Sequence, residues 1–190
     1  MKRGFWRSKW SRQLEPEVGH CRKTARSARY DACMCPSEKY RYSLERSIQA
    51  KGPSVCFVML NPSTADEIKN DPTIKRCIGF ATRELGRRLL VLNLFAYRAT
   101  SPKVLRAVDD PIGPENGRVW AHHVNELAIE RDSVVVAAWG NDGEGRNAQE
   151  FKALCAAVGL QLRCLGFTRN RAPRHPLYVR RDAPLVPMAA

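Results

Sequence analysis

The chain has 190 residues, 44% hydrophobic and 27% charged, the balance of a globular domain with a substantial core. Collagenous, coiled-coil and wholly disordered organisations are excluded, and apolar stretches such as Leu89 to Phe95 fall far short of the roughly 20 residues of a membrane helix. Lys and Arg number 32 against 19 Asp and Glu, a net charge of +13, which points to a polyanionic partner such as nucleic acid or a nucleotide.

Residues 1–30 carry nine basic and two acidic side chains, +7 of the +13, with Phe5, Trp6 and Trp10 among the cations. Residues 1–39 read as a basic arm, either loosely docked or binding nucleic acid, and residues 40–190 as a single α/β domain. The arm has no apolar run of the secretory kind, so a cytoplasmic location is expected.

Seven cysteines then read as reduced thiols. Cys56, Cys77, Cys155 and Cys164 fall within apolar patterns, as small core residues do. No cofactor is expected. His20, Cys21, Cys33 and Cys35 form the one set that could hold zinc or an iron–sulfur cluster. The single residue between Cys33 and Cys35 is tighter than the two to four that zinc sites use.

From residue 40 the pattern becomes regular. Val55 to Leu60 is a continuous apolar run, the mark of a strand covered on both faces, and it ends in Asn61-Pro62-Ser63. Asp71-Pro72-Thr73 opens a helix, with Asp71 as N-cap and Pro72 at the first helical position. Ile74, Ile78, Ala81 and Leu85 recur at helical spacing before Gly86. Leu89 to Phe95 is a second strand and Pro114 to about Arg131 a helix. Val134 to Trp139 is a third strand, Gly145 to Val158 a helix, and Leu160 to Leu165 a fourth strand. The alternation predicts a four-stranded, mainly parallel sheet inside a three-layer α/β/α sandwich.

Ligands of open parallel sheets sit beyond the carboxyl ends of the strands. The segments there are Asn61 to Asp66, Tyr97 to Thr100, Gly140 to Gly143 and Thr168 to Pro176. Their amides, hydroxyls, guanidiniums and single imidazole suit a polar, anionic ligand. Gly140-x-x-Gly143-x-Gly145 lacks the Lys-Ser/Thr of a phosphate-binding P-loop. His122 and His123, adjacent on a helix, are expected to point apart at the surface and to share no metal.

Several segments resemble motifs of the bacterial and phage domain-of-unknown-function family 1643 over about residues 40–180. They are Arg41-Tyr42-x-Leu44-x-Arg46, Val58 to Asp66, Asp71 to Ile74, Asn93 to Thr100, Asp110 to Asn116, Ala138-Trp139-Gly140 and Pro173 to Tyr178. That family name implies no activity.

The order of features is also similar to the uracil-DNA glycosylase superfamily. Asn61-Pro62 matches its first motif, Asn93 to Arg98 the middle segment, and His175-Pro176 the last. Leu60 stands where that first motif has Gly, and Leu177 where Ser often follows His-Pro. The cysteines do not reproduce the iron–sulfur pattern of some members.

The likeness implies a uracil-DNA-glycosylase-like fold and hydrolysis of an N-glycosidic bond in a nucleotide or nucleic acid. Asn61 would then hold a water, Asp66 would be the stronger base, and His175 would donate to the departing nucleobase. Pro62, Ser63, Thr64, Asn93 and Gly140 would line the substrate, and Arg98, Arg171 and Arg174 would clamp phosphates. Tyr97 or Trp139 would stack on the base.

Plainer roles fit the same residues: Asn61 as a turn cap, Asp66 in a solvated loop, Arg98 paired with Asp109 or Asp110, Trp139 in the core. Two other functions stay open, a non-catalytic nucleic-acid-binding module and an enzyme of nucleotide or modified-base metabolism with different chemistry.

Overall fold

Helices cover both faces of one twisted sheet in the computed structural model, which describes residues 22–23 and 30–188. The strands are β1 (Arg22–Lys23), β2 (Tyr30–Met34), β3 (Arg41–Ser47), β4 (Ser54–Met59), β5 (Arg88–Asn93), β6 (Val134–Ala137), β7 (Leu162–Cys164) and β8 (Val186–Pro187). The helices are α1 (Pro72–Arg83), α2 (Pro102–Arg106), α3 (Asn116–Ile129) and α4 (Arg146–Ala157).

The spatial order is β1-β2-β3-β5-β4-β6-β7-β8. Among the described residues β4 pairs in parallel with β5 and β6, and β6 with β7. The other four pairings are antiparallel. The expected four-stranded, mainly parallel sheet is therefore corrected to eight strands with mostly antiparallel pairings. The physical reason lies in the flanks. β2 and β3 mix polar and apolar residues, and β1 and β8 are two residues long, so none of them makes a continuous apolar run.

Part of the segment read as the arm joins the sheet. Residues 30–34, within the segment 1–39 read as the arm, pair with β3 from Tyr30↔Arg46 onward. Residues 1–21 and 24–29 lie outside the described residues.

The central strands alternate sides, as the two-residue period requires. Cys56, Val58, Leu90 and Leu92 pack with Trp120 and Val124 of α3 and Phe151 of α4. Val55, Phe57, Val91 and Val136 pack with Ile74, Cys77 and Phe80 of α1. Each fully buried Val, Leu, Ile or Phe among them contributes about 1.5–3 kcal/mol. Among the described residues no helix is long and apolar enough to cross a membrane.

The two ends of the parallel strands differ in chemistry. At the amino ends, Glu130 accepts from the Ser54 backbone N at 2.8 Å and its hydroxyl at 2.6 Å. Arg88 donates to Ser54 Oγ at 2.6 Å and to Glu45 at 3.1 Å. That end closes on itself. The carboxyl ends open into a cavity.

Candidate functional site

The cavity has a volume of about 700 Å³, within the range of sites for small organic ligands. Its wall comes from the loops after β4, β5, β6 and β7 and from the start of α1, with Arg41 of β3 reaching it too. This is the crevice that parallel strands present at their carboxyl ends. Asn61, Ser63, Trp139, Gly140, Arg174 and His175, all singled out from sequence, line it.

Asn61 is oriented by the loop that carries it. Its Nδ2 donates to the carbonyls of Pro62 at 2.9 Å and Ala99 at 2.8 Å. Carbonyls only accept, so these contacts assign the amide nitrogen and leave Oδ1 as the free acceptor.

His175 caps the short 3-10 turn Pro176–Tyr178, its Nδ1 accepting from Leu177 N at 3.4 Å. An accepting Nδ1 carries no proton, so the neutral ring bears its hydrogen on Nε2. Burial pushes the His175 pKa below its ordinary value, and the negative charge of Asp71 opposes that shift. Arg76 of α1 fixes the backbone here, donating to Pro176 O at 3.3 Å and to Val179 O.

Asp71 is the buried carboxylate of the cavity wall. Its Oδ1 accepts from Ile74 N at 2.8 Å, the N-cap bond of α1. The sequence pattern marked it as a cap, and only the placement of α1 brings it to the cavity. Arg41 carries still less signal, since it opens a strand and is 1% exposed. Arg169 also reaches the wall.

Asp66 lies off the cavity wall. Its Oδ1 accepts from Ile68 N at 2.8 Å and Lys69 N at 2.7 Å, an aspartate turn closing its own loop. The Arg46 guanidinium donates to its backbone oxygen. Despite burial, the two backbone hydrogen bonds and the Arg98 and Arg46 charges hold the Asp66 pKa below the usual value.

Pro62, Thr64, Asn93, Tyr97, Arg98 and Arg171 are likewise absent from the wall. Pro62 is buried and its carbonyl accepts from Ala99 N. Thr64 is exposed. Asn93 is buried at the end of β5, its Oδ1 accepting from Arg41 Nη2 at 3.4 Å. Tyr97 packs edge-on against Tyr40 at 5.7 Å. Arg98 reaches Glu38, at 3.3 Å to its carbonyl and 4.0 Å to its carboxylate, in place of Asp109 or Asp110. Arg171 is exposed, with φ of 62°.

Trp139 touches the cavity while being 2% exposed. Its Nε1 donates to Glu144 at 2.8 Å, and Lys152 Nζ lies 5.5 Å from its ring centroid. Gly143 approaches so closely that a Cβ there would fall 2.5 Å from the Trp139 side chain. The indole is a wall element with its faces largely taken.

The chain matches the family described as protein of unknown function (DUF1643) over residues 41–177. It belongs to that family. No curated protein and no solved structure matches the chain significantly. The matched span of this DUF1643 protein runs from Arg41 to Leu177, both on the cavity wall.

Away from this site, the structure corrects the expectation that His122 and His123 point apart and that His123 lies at the surface. Their ligand atoms and a Glu126 carboxylate oxygen all lie within 4.8 Å of one another, and His123 is buried. Glu126 reaches back one helical turn to accept from His123 Nδ1 at 2.8 Å, with His122 at 3.8 Å. The His123 hydrogen bond is the leading cause that holds Glu126 down at about 2. Arg88 at 3.9 Å adds a cation to the group.

Of the cysteine set, Cys21 and His20 lie outside the described residues. Cys33 is disulfide-bonded, against the expectation of reduced thiols. Cys35 is free, with Sγ 3.2 Å from Ser37 Oγ. Cys56, Cys77, Cys155 and Cys164 are free and buried in the core.

Proposed function

We propose that this DUF1643 protein hydrolyses an N-glycosidic bond, releasing a nucleobase from a nucleotide or nucleic acid, on a uracil-DNA-glycosylase-like fold. The observation that carries the reading is the presence of Asn61 and His175 on the wall of one cavity beyond the parallel strands. Asn61 offers a fixed acceptor for a water hydrogen. Asp71 takes the role first given to Asp66, because it lines the cavity wall while the carboxylate of Asp66 closes a loop.

The water oxygen bonds to the anomeric carbon and its proton passes to Asp71. The C–N bond breaks with its electron pair going to the base. His175 Nε2–H donates to the base oxygen where negative charge develops, an interaction strongest in the transition state. A neutral ring is the required form, and the depressed pKa of His175 supports it.

Purified full-length protein is incubated with single- and double-stranded DNA containing uracil, hypoxanthine or phage-type modified bases, and with the free nucleotides. Abasic sites and free base are scored. Base release lost in Asn61→Ala and His175→Ala supports the reading. Binding without release on any of these substrates overturns it in favour of a non-catalytic nucleic-acid-binding module.

A further inference from the structure

Arg41 is an unusual floor for a cavity. It is 1% exposed, and burying a charge is costly unless it is paired. Its Nη1 donates to Ala65 O at 2.7 Å and its Nη2 to Asn93 Oδ1 at 3.4 Å. Both partners are neutral. Its Nε is sealed from solvent with no hydrogen-bond partner, and Asn93 Nδ2 beside it is in the same condition. The leading opposite charge acting on Arg41 is Asp71, but the two form no ion pair within 4.0 Å.

The mouth of the cavity adds Arg169 and Arg174, both exposed. Two carboxylates stand on the wall in return, Asp71 and Asp142. Asp142 is already paired with Arg106 at 3.2 Å. Three guanidiniums less the Asp71 carboxylate leave two positive charges. A phosphomonoester carries about −1.5 to −2 at neutral pH, whereas a carboxylate or an internal phosphodiester carries only one negative charge. The floor charge acts through a poorly hydrated medium, where attraction is strongest, and guanidinium forks match phosphate oxygens.

We infer that the cavity recognises a phosphomonoester on its nucleobase-bearing ligand, with Arg41 as the buried selecting charge and Arg169 and Arg174 at the mouth. The inference rests on the nucleobase reading of the same cavity and names the form of ligand it takes. The monoester is either a free nucleotide or the 5′-phosphorylated end of a strand.

The full chain is titrated calorimetrically with deoxyuridine 5′-monophosphate, deoxyuridine and inorganic phosphate. The monophosphate should bind at least about tenfold tighter than the nucleoside, the effect of one charge-assisted contact. Phosphate should compete with it, and added salt should weaken it. Arg41→Gln should abolish the preference. Should that variant fail to fold, Arg169→Ala and Arg174→Ala, at exposed positions, should each weaken the monophosphate severalfold and more than the nucleoside.

A single-stranded oligonucleotide with uracil at a 5′-phosphorylated end, compared with its unphosphorylated twin, assigns the source. Preference for the phosphorylated strand over the free monophosphate places the monoester on a strand end. Equal affinity of wild-type protein for deoxyuridine and its monophosphate, or no binding of either, overturns the inference. Base release read in the same samples separates the two claims. Tight monophosphate binding without release leaves the anion site standing and removes the hydrolase. Release from deoxyuridine as fast as from the monophosphate does the opposite.

Discussion

His175 Nδ1 accepts from the backbone N–H of Leu177 at 3.4 Å, and this contact places the hydrogen of the neutral ring on Nε2. His175→Ala should lower base release by about 10²–10³-fold, the usual cost of losing one donor to developing negative charge. Thermal unfolding should change by no more than a few degrees. His175→Gln, which keeps a donor, should recover part of the activity in single-turnover assays.

The pH dependence follows from the direction of the His175 shift. Burial lowers its folded pKa below the ordinary 6.5, so the ring stays neutral on acidification until that lower value is passed. Activity should therefore hold through pH 6.5 and fall only below it. The unfolded chain takes up this proton first, so stability rises with pH across the window between the lowered pKa and 6.5. Proton-detected titration of the ring checks both. Because Asp71 raises this pKa, Asp71→Asn should move the titration further down.

Asp71 has two roles that one pair of substitutions separates. Asn is as good an N-cap as Asp, so Asp71→Asn should keep α1 intact while lowering base release by about 10²-fold or more. Asp71→Ala should lose the same activity and about 1 kcal/mol of stability besides. Chemical denaturation read by far-UV circular dichroism distinguishes the two variants.

Arg76 touches the backbone that carries His175 without lining the cavity itself. Arg76→Ala should therefore lower kcat with little change in KM, and should broaden the His175 ring resonances. A change in KM alone would contradict this positioning role.

Gly143→Ala would set a methyl 2.5 Å from the Trp139 side chain. The indole must then move, and overpacking of this kind costs about 1–3 kcal/mol. Denaturant midpoints of Gly143→Ala and of the unstrained Gly117→Ala, whose added methyl meets nothing within 4 Å, provide the comparison.

Much of the fold was legible because buried parallel strands and amphipathic helices impose periods on the residues themselves. Val55–Leu60 against the observed Ser54–Met59, and Gly145–Val158 against Arg146–Ala157, differ by one residue at each end. The Asp71 cap was readable for the same reason, being set by neighbours three residues away. β3 was not, since its apolar positions are interrupted by Arg41, Ser43, Glu45 and Arg46. Those polar side chains are accommodated by partners distant in the chain, such as Ala65, Asn93 and Asn70.

Taken alone, the order of residues determined where the cavity-lining loops begin, because each follows a strand whose apolar run ends abruptly. It placed +7 of the net charge of +13 in residues 1–30. Only the tertiary structure decided which loop residues meet. Asp66 and Asp71 stand five positions apart, yet Asp66 is turned into its own loop and Asp71 is carried to the cavity by α1. Arg41 reached the floor through sheet pairing, which brings β3 beside β5. Local preferences act over a few residues, whereas a cavity is assembled from long-range packing.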